Sequence, residues 1–275
     1  MQVTFYGVRG SCPCPAESNR RYGGNTACVV LDVDDEPPII LDLGTGLRAY
    51  GDTQPKDGSF RGSAFVTHMH WDHVQGLPFF PPADRPGAEF DVYGPAQDGT
   101  TLAAAFGGLM RPPYFPVRVE DLRGAIRFHD VVEDDLAVGN AKVRVRPVPH
   151  VGPTVGYRVA WGGATVTYIS DHQAPVDLHS IDERVLELAE GADVLIHDAQ
   201  YTPEEFGEKA HWGHCTVDYA IGVARRAGVG TLVLFHHDPA HDDDAIDELL
   251  AAARRTAGAG GPEVIAAYEG LVLSL

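Results

Sequence analysis

FVTHMHWDHVQGLPFF, residues 65–80, places three histidines and one aspartate within six positions: His68, His70, Asp72 and His73. The apolar run SAFVT (63–67) leads into it and reads as a buried strand. The cluster therefore occupies the loop leaving a strand's carboxyl end, where open α/β sheets bind ligands. In an extended stretch His68, His70 and Asp72 point to one side, and a turn at Asp72-His73 adds the fourth group. Imidazole and carboxylate donors suit Zn²⁺, Mn²⁺ or Fe²⁺.

One short loop cannot surround two cations, so distant partners are needed. Three later apolar runs each end in a metal-binding residue type: RVRPVPHVG offers His150, VTYISDHQ offers Asp171 and TLVLFHHDP offers His236. His236 is preferred to His237 because it ends its run directly, and His172 reads as a neighbour of Asp171. Asp42, in IILDLGTGLR, closes another run beside a Gly-rich turn.

Around these ends the chain reads as many short strands with helices between the later ones. Strands are expected at 3–7, 28–33, 39–43, 63–67, 89–94, 126–129, 142–148, 155–161, 164–169, 193–197 and 231–236, with a tail strand over 264–275. Helices are expected at 100–106, 181–190, 216–227 and 243–256, the last opening on Asp242-Asp243-Asp244. The order suggests mixed sheets covered by helices in a single domain over 1–275. The Pro-rich loops 76–87 and 107–116 carry Phe79, Phe80, Tyr114 and Phe115, which are suited to wall a pocket.

The net charge of −18, from 39 acidic and 21 basic side chains, argues against long nucleic acid and anionic membranes as partners. A small anionic substrate remains compatible, because a metal supplies local positive charge. No apolar stretch reaches the ~18 residues of a membrane span. MQVTFYGVRG lacks the pattern of a signal peptide, so a cytoplasmic location is expected. Cys12, Cys14, Cys28 and Cys215 show neither a C-x-x-C pair nor zinc-finger spacing. The acidic runs 32–36, 133–135 and 242–244 read as solvated loops or helix starts.

Taken together, His68-x-His70-x-Asp72-His73 and its strand-end partners resemble the metallo-β-lactamase superfamily over nearly the whole chain. The resemblance implies an α+β fold, an αββα sandwich of two mixed β-sheets flanked by helices. It implies two divalent cations, with Zn²⁺ the first choice and Mn²⁺ or Fe²⁺ the alternatives. His68, His70 and His150 would hold one; Asp72, His73 and His236 would hold the other; Asp171 would bridge them. Asp42 would orient the metal loop. GVRGSCPCP, RYGGNTACVV and HWGHCT (211–216) further resemble the phosphodiesterase branch that includes RNase Z. That match makes His214 the candidate general acid, with His211 its rival, and Asp72 a candidate acceptor of the water's proton. RNase Z enzymes with a tRNA-gripping arm carry a long insertion between the segments matching His150 and Asp171. Here only 20 residues intervene, so a small or cyclic phosphodiester is the expected substrate, attacked by a hydroxide between the metals. Arg9, Ser11 and Asn25, in Gly-rich loops, are candidates to touch phosphate. A carbonyl-ester hydrolase and a non-catalytic metal-bound scaffold are the alternatives, and a homodimer is left open.

Overall fold

A computed structural model describes residues 1–275. In chain order the elements are β1 (Gln2–Gly7), β2 (Cys28–Asp32), β3 (Ile39–Leu41), α1 (Gly46–Thr53), β4 (Arg61–Phe65), α2 (Trp71–Val74), β5 (Glu89–Gly94), α3 (Leu102–Leu109) and β6 (Ala125–Asp130). They continue with β7 (Asp135–Val138), β8 (Ala141–Pro147), β9 (Val155–Trp161), β10 (Ala164–Ile169), α4 (Glu183–Ala189), β11 (Val194–Asp198) and α5 (Pro203–Lys209). The chain closes with α6 (Val217–Ala227), β12 (Thr231–Phe235), α7 (Asp243–Ala257), β13 (Glu263–Ala266) and β14 (Val272–Ser274).

The strands form two seven-stranded sheets, ordered β14-β1-β2-β3-β4-β5-β6 and β13-β12-β11-β10-β9-β8-β7. Each is half antiparallel and half parallel: β3 to β6 run parallel in the first, and β10 to β13 in the second. Side chains from both sheets, among them Phe5, Leu41 and Phe65 facing Val145, Val166, Ile196 and Phe235, fill the layer between them. Outside the second sheet, α4, α6 and α7 bury Leu188, Ala220 and Ala253 against it. Outside the first, α1 and α3 bury Leu47, Tyr50 and Phe106. The result is the αββα sandwich, with two mixed sheets flanked by helices.

Helix ends follow local chemistry. Thr216 caps α6 by accepting the Tyr219 amide, and Gly228, at φ 67°, ends it in the left-handed region. Asp242 caps α7 through the Ala245 amide, so the acidic run 242–244 is a helix start. The run 133–135 is different: Asp135 opens β7, an edge strand paired only with β8. The expected tail strand also divides. Its first part, β13, runs parallel to β12, whereas β14 pairs antiparallel with β1 in the other sheet. The chain changes sheets through Gly270, at φ 89°. No helix is long and apolar enough to cross a membrane.

Candidate metal centre

Six strand exits meet at one edge of the sandwich. Asp42 follows β3, His68 follows β4, His150 follows β8, Asp171 follows β10, Asp198 ends β11 and His236 follows β12. The parallel halves of both sheets send their carboxyl ends to the same side, and β8, antiparallel to β9 as β10 is, ends there too, which is why residues so distant in sequence converge. The single turn α2 swings Asp72 and His73 back toward His68.

Two donor groups result. Ligand atoms of His68, His70, His150 and Asp171 lie within 4.8 Å of one another, as do those of Asp72, His73 and His236. Asp171 reaches both: Oδ2 is 3.8 Å from His68 Nε2 and from His150 Nε2, and Oδ1 is 3.2 Å from His73 Nε2. His237 turns away, with Nε2 2.9 Å from the Ala267 carbonyl, and His172 faces His197. His211 is exposed outside the cavity lining.

The far nitrogen of four rings is held by the protein. His73 Nδ1 donates to Asp42 Oδ2 at 2.8 Å, His150 Nδ1 to the Gly213 carbonyl at 2.6 Å and His236 Nδ1 to Gln200 Oε1 at 2.8 Å. His68 Nδ1 lies 3.1 Å from Thr67 Oγ1, which itself donates to Asp42. With those protons on Nδ1, each ring turns an Nε2 lone pair inward. Gly213, at φ 99°, leaves room for this: a Cβ there would lie 2.4 Å from the His150 ring. Ser11, Asp42 and His236 have positive φ values of 61°, 59° and 60°. Such backbone conformations in non-glycine residues cost on the order of 1–3 kcal/mol each and gather at functional sites.

The donor set fits divalent cations. His73 Nε2 and His236 Nε2 lie 3.3 Å apart, and each lies 3.1 Å from Asp72 Oδ2, so three potential donor atoms crowd one point. His68 Nε2 is buried with no hydrogen-bond partner. Asp42, Asp72, Asp171 and Asp198 are all buried, and no Lys or Arg is among the residues lining the cavity. A buried carboxylate cluster is strongly unfavourable unless positive charge lies among it, which a divalent cation or a protonated imidazole supplies. The histidines respond in opposite directions. At His73 burial opposes the charged ring, but Asp72, Asp171 and Asp42 outweigh it and push the pKa well up. At His68 burial and the neighbouring His73 push it well down.

The cavity beside these donors has a volume of about 460 Å³ and is lined by Ser11, His70, Trp71, Asp72, Trp212 and His214, among others. A larger cavity near the C-terminal strand contains none of the seven candidate ligands. His214 Nδ1 donates to Asp198 Oδ2 at 2.9 Å, and its ring stacks on His236 at 5.0 Å between centroids. Burial lowers its pKa, but Asp198, with smaller help from Asp171 and Asp72, overrides burial and raises it to about 9.

Three loop residues behave differently from one another. The Ser11 amide donates to Asp72 Oδ2 at 2.7 Å, and Ser11 lines the cavity. Arg9 does not reach it, correcting the expectation of a phosphate contact. Its buried guanidinium group donates to the carbonyls of Gly23, Asp238 and His241. Asn25 also stays outside, its amide group donating to Glu269 Oε2 at 3.0 Å. Asp198 and Gln200, which hold His214 and His236, were missed in the sequence. The available signal was DVLIHDAQ, one more apolar run closing on a carboxylate.

Paired donor clusters at the shared edge of two helix-flanked mixed sheets define a protein of the metallo-β-lactamase fold. The chain belongs to that superfamily: the family model described as the Beta-lactamase superfamily domain matches residues 39–237. Ribonuclease Z of Synechococcus sp. (strain WH7803) is 28% identical, over 92% of this chain and 91% of that one. The metallo-beta-lactamase fold protein YhfI from Bacillus subtilis superposes with a TM-score of 0.74 at 19% identity, covering 99% of this chain and 98% of its own. Zn(2+)-bound PqqB from Methylobacterium extorquens gives 0.73 at 17% identity, with both chains fully covered.

Proposed function

We propose that the chain is a metal-dependent phosphodiesterase acting on a small phosphodiester. The observation that carries this reading is the His214–Asp198 pair beside the donor clusters. An alkoxide leaving a phosphodiester needs a proton, and a buried imidazole kept protonated near neutrality by a fixed carboxylate supplies one. The Synechococcus relative's name, Ribonuclease Z, belongs to the same chemistry of phosphodiester cleavage.

His68, His70, His150 and Asp171 would hold one cation, and Asp72, His73 and His236 the other, with Asp171 between them. Zn²⁺ is the first choice for this imidazole and carboxylate set. When bound, the two cations would activate a water at neutral pH and offset charge on the phosphoryl oxygens. The chain's own residues do the rest. The Ser11 amide fixes Asp72, our candidate to receive the proton that the attacking water loses. Asp42 orients His73 directly and His68 through Thr67. His214 delivers its Nε2 proton to the leaving oxygen, and Asp198 stabilises it in the charged form that does so.

Small size follows from charge and shape. The net charge of −18 repels a polyanion, and the cavity lining offers no Lys or Arg to grip one. The residues between His150 and Asp171 are largely the β9–β10 hairpin, with no long arm. Purified protein supplied with Zn²⁺ or Mn²⁺ should hydrolyse bis-p-nitrophenyl phosphate. A metal-loaded sample that cleaves carboxylic esters or thioesters but no phosphodiester would move the assignment to carbonyl chemistry.

A further inference from the structure

Beside the donor cavity lies a second, apolar one of about 520 Å³. Trp71 lines both, so the two adjoin at that side chain. Phe79 supplies one wall; Leu109, Met110, Tyr114 and Phe115, from the end of α3 and the loop after it, supply the other. Phe79 and Phe115 pack edge to face, with centroids 5.7 Å apart. No charged side chain lines this groove, and Gln75 is its only amide side chain. Trp71, Phe79 and Tyr114 are 72%, 54% and 76% exposed. Three large aromatic side chains left in water around one groove mark a binding surface.

We propose that this groove receives an apolar ester group, aryl or alkyl, of a substrate whose phosphate lies at the donor clusters. The inference rests on the phosphodiester reading for its anchor and on the groove's own chemistry for its occupant. Neither cavity lining carries Lys or Arg, so no side-chain cation adds to the hold on the phosphate, and what this groove contributes is apolar burial. A nucleobase would bring several donors and acceptors into a lining that answers with Gln75 and the Tyr114 hydroxyl. Each polar group left unmatched there opposes binding. A hydrocarbon group loses no hydrogen bonds on entry and gains from leaving water.

The test measures binding by calorimetry, with Zn²⁺-loaded protein and three phosphate monoesters: phenyl phosphate, methyl phosphate and thymidine 5′-phosphate. Phenyl phosphate should bind at least ~10-fold more tightly than methyl phosphate, the effect of burying one ring. The double variant Phe79→Ser/Tyr114→Ser changes two exposed side chains outside the donor cavity. It should bring phenyl phosphate to the methyl phosphate level and leave methyl phosphate unchanged. Equal affinity for the two in the parent protein, or no binding of phenyl phosphate, overturns the proposal. So does an equal loss for both in the variant. Thymidine 5′-phosphate matching phenyl phosphate would make a nucleobase the occupant, and a variant that changes oligomeric state by light scattering would make it a second copy. Turnover of bis-p-nitrophenyl phosphate is scored separately. Its absence alongside selective phenyl phosphate binding removes the hydrolytic reading and leaves the groove assignment standing.

Discussion

Asp198 Oδ2 accepts two hydrogen bonds at once, from His214 Nδ1 at 2.9 Å and from the His172 backbone amide at 3.0 Å. Its other oxygen accepts the Gln200 amide at 3.0 Å, and the residue is fully buried. A carboxylate pinned by two backbone amides cannot swing away, so it fixes the His214 ring and its charge together. Asp198→Asn keeps the shape and removes the charge. The His214 pKa should then fall from about 9, and the alkaline limb of the pH–rate profile should move to lower pH. A profile that stays in place would detach Asp198 from the acid.

His214→Ala removes the proposed proton donor. General acid catalysis contributes roughly 10²–10⁴-fold where the leaving group is a poor one. The variant should therefore lose about that much kcat on an alkyl leaving group and far less on p-nitrophenolate, which departs unaided. Measuring both leaving groups separates the roles: equal losses would make His214 a binding or structural residue.

Asp42 accepts from the Thr67 amide at 2.7 Å, the Thr67 hydroxyl, His73 Nδ1 and the Tyr168 hydroxyl at 2.8 Å, all in the interior. Asp42→Ala leaves these donors unmatched and frees the His73 ring. Stability should drop by about 3 kcal/mol or more, from the unsatisfied buried groups. Metal affinity should fall about 10–100-fold, the usual effect of losing a group that orients a ligand. Urea denaturation gives the first quantity and competition with a chelating dye gives the second. Unchanged affinity in a destabilised variant would restrict Asp42 to a packing role.

How much of this was legible beforehand follows from where each residue sits. His68, His150, Asp171 and His236 each close an apolar run, and a strand with a polar end is a local signal. Asp198 closes such a run too, but its meaning lies in His214, sixteen residues on across α5, and only the folded chain joins them. The one-turn α2 and the helix α1, with Gly46 and Gly51 in GLRAYGDT, carry too little helical propensity to stand out; α1 forms because Leu47 and Tyr50 bury against the first sheet. The α5 start carried a local signal, although no helix is expected there from the apolar pattern. Thr202-Pro203-Glu204-Glu205 is a capping box with proline in the first turn, and both reciprocal hydrogen bonds form. β7 escaped notice because an acidic edge strand has the composition of a loop.

Removing metal gives a fourth expectation. Buried carboxylates and inward-facing imidazoles repel or stay unsatisfied when no cation lies among them. A ligand that binds only the folded state raises stability by mass action, ~4 kcal/mol at a thousandfold excess over Kd. Dialysis against a chelator should lower Tm by several degrees, and added Zn²⁺ should restore it. An identical Tm with and without metal, alongside metal analysis showing complete removal, would mean that the donors do not form a tight site.

Arg9 supplies the last and separates a structural cation from a substrate contact. Its guanidinium group joins three carbonyls: Gly23 from the N-terminal loop, and Asp238 and His241 from the loop after His236. His236 stands at φ 60° two residues before Asp238, so this bracing helps keep a candidate ligand in an unfavourable backbone conformation. Arg9→Met retains much of the side-chain volume and deletes the donors. The variant should lose roughly 2–4 kcal/mol of stability, because each carbonyl loses a charge-assisted bond. Soluble, metal-loaded variant should keep KM within about twofold of the parent, since uniform substrate binding is untouched. A large rise in KM with stability intact would instead put the guanidinium group on the phosphate.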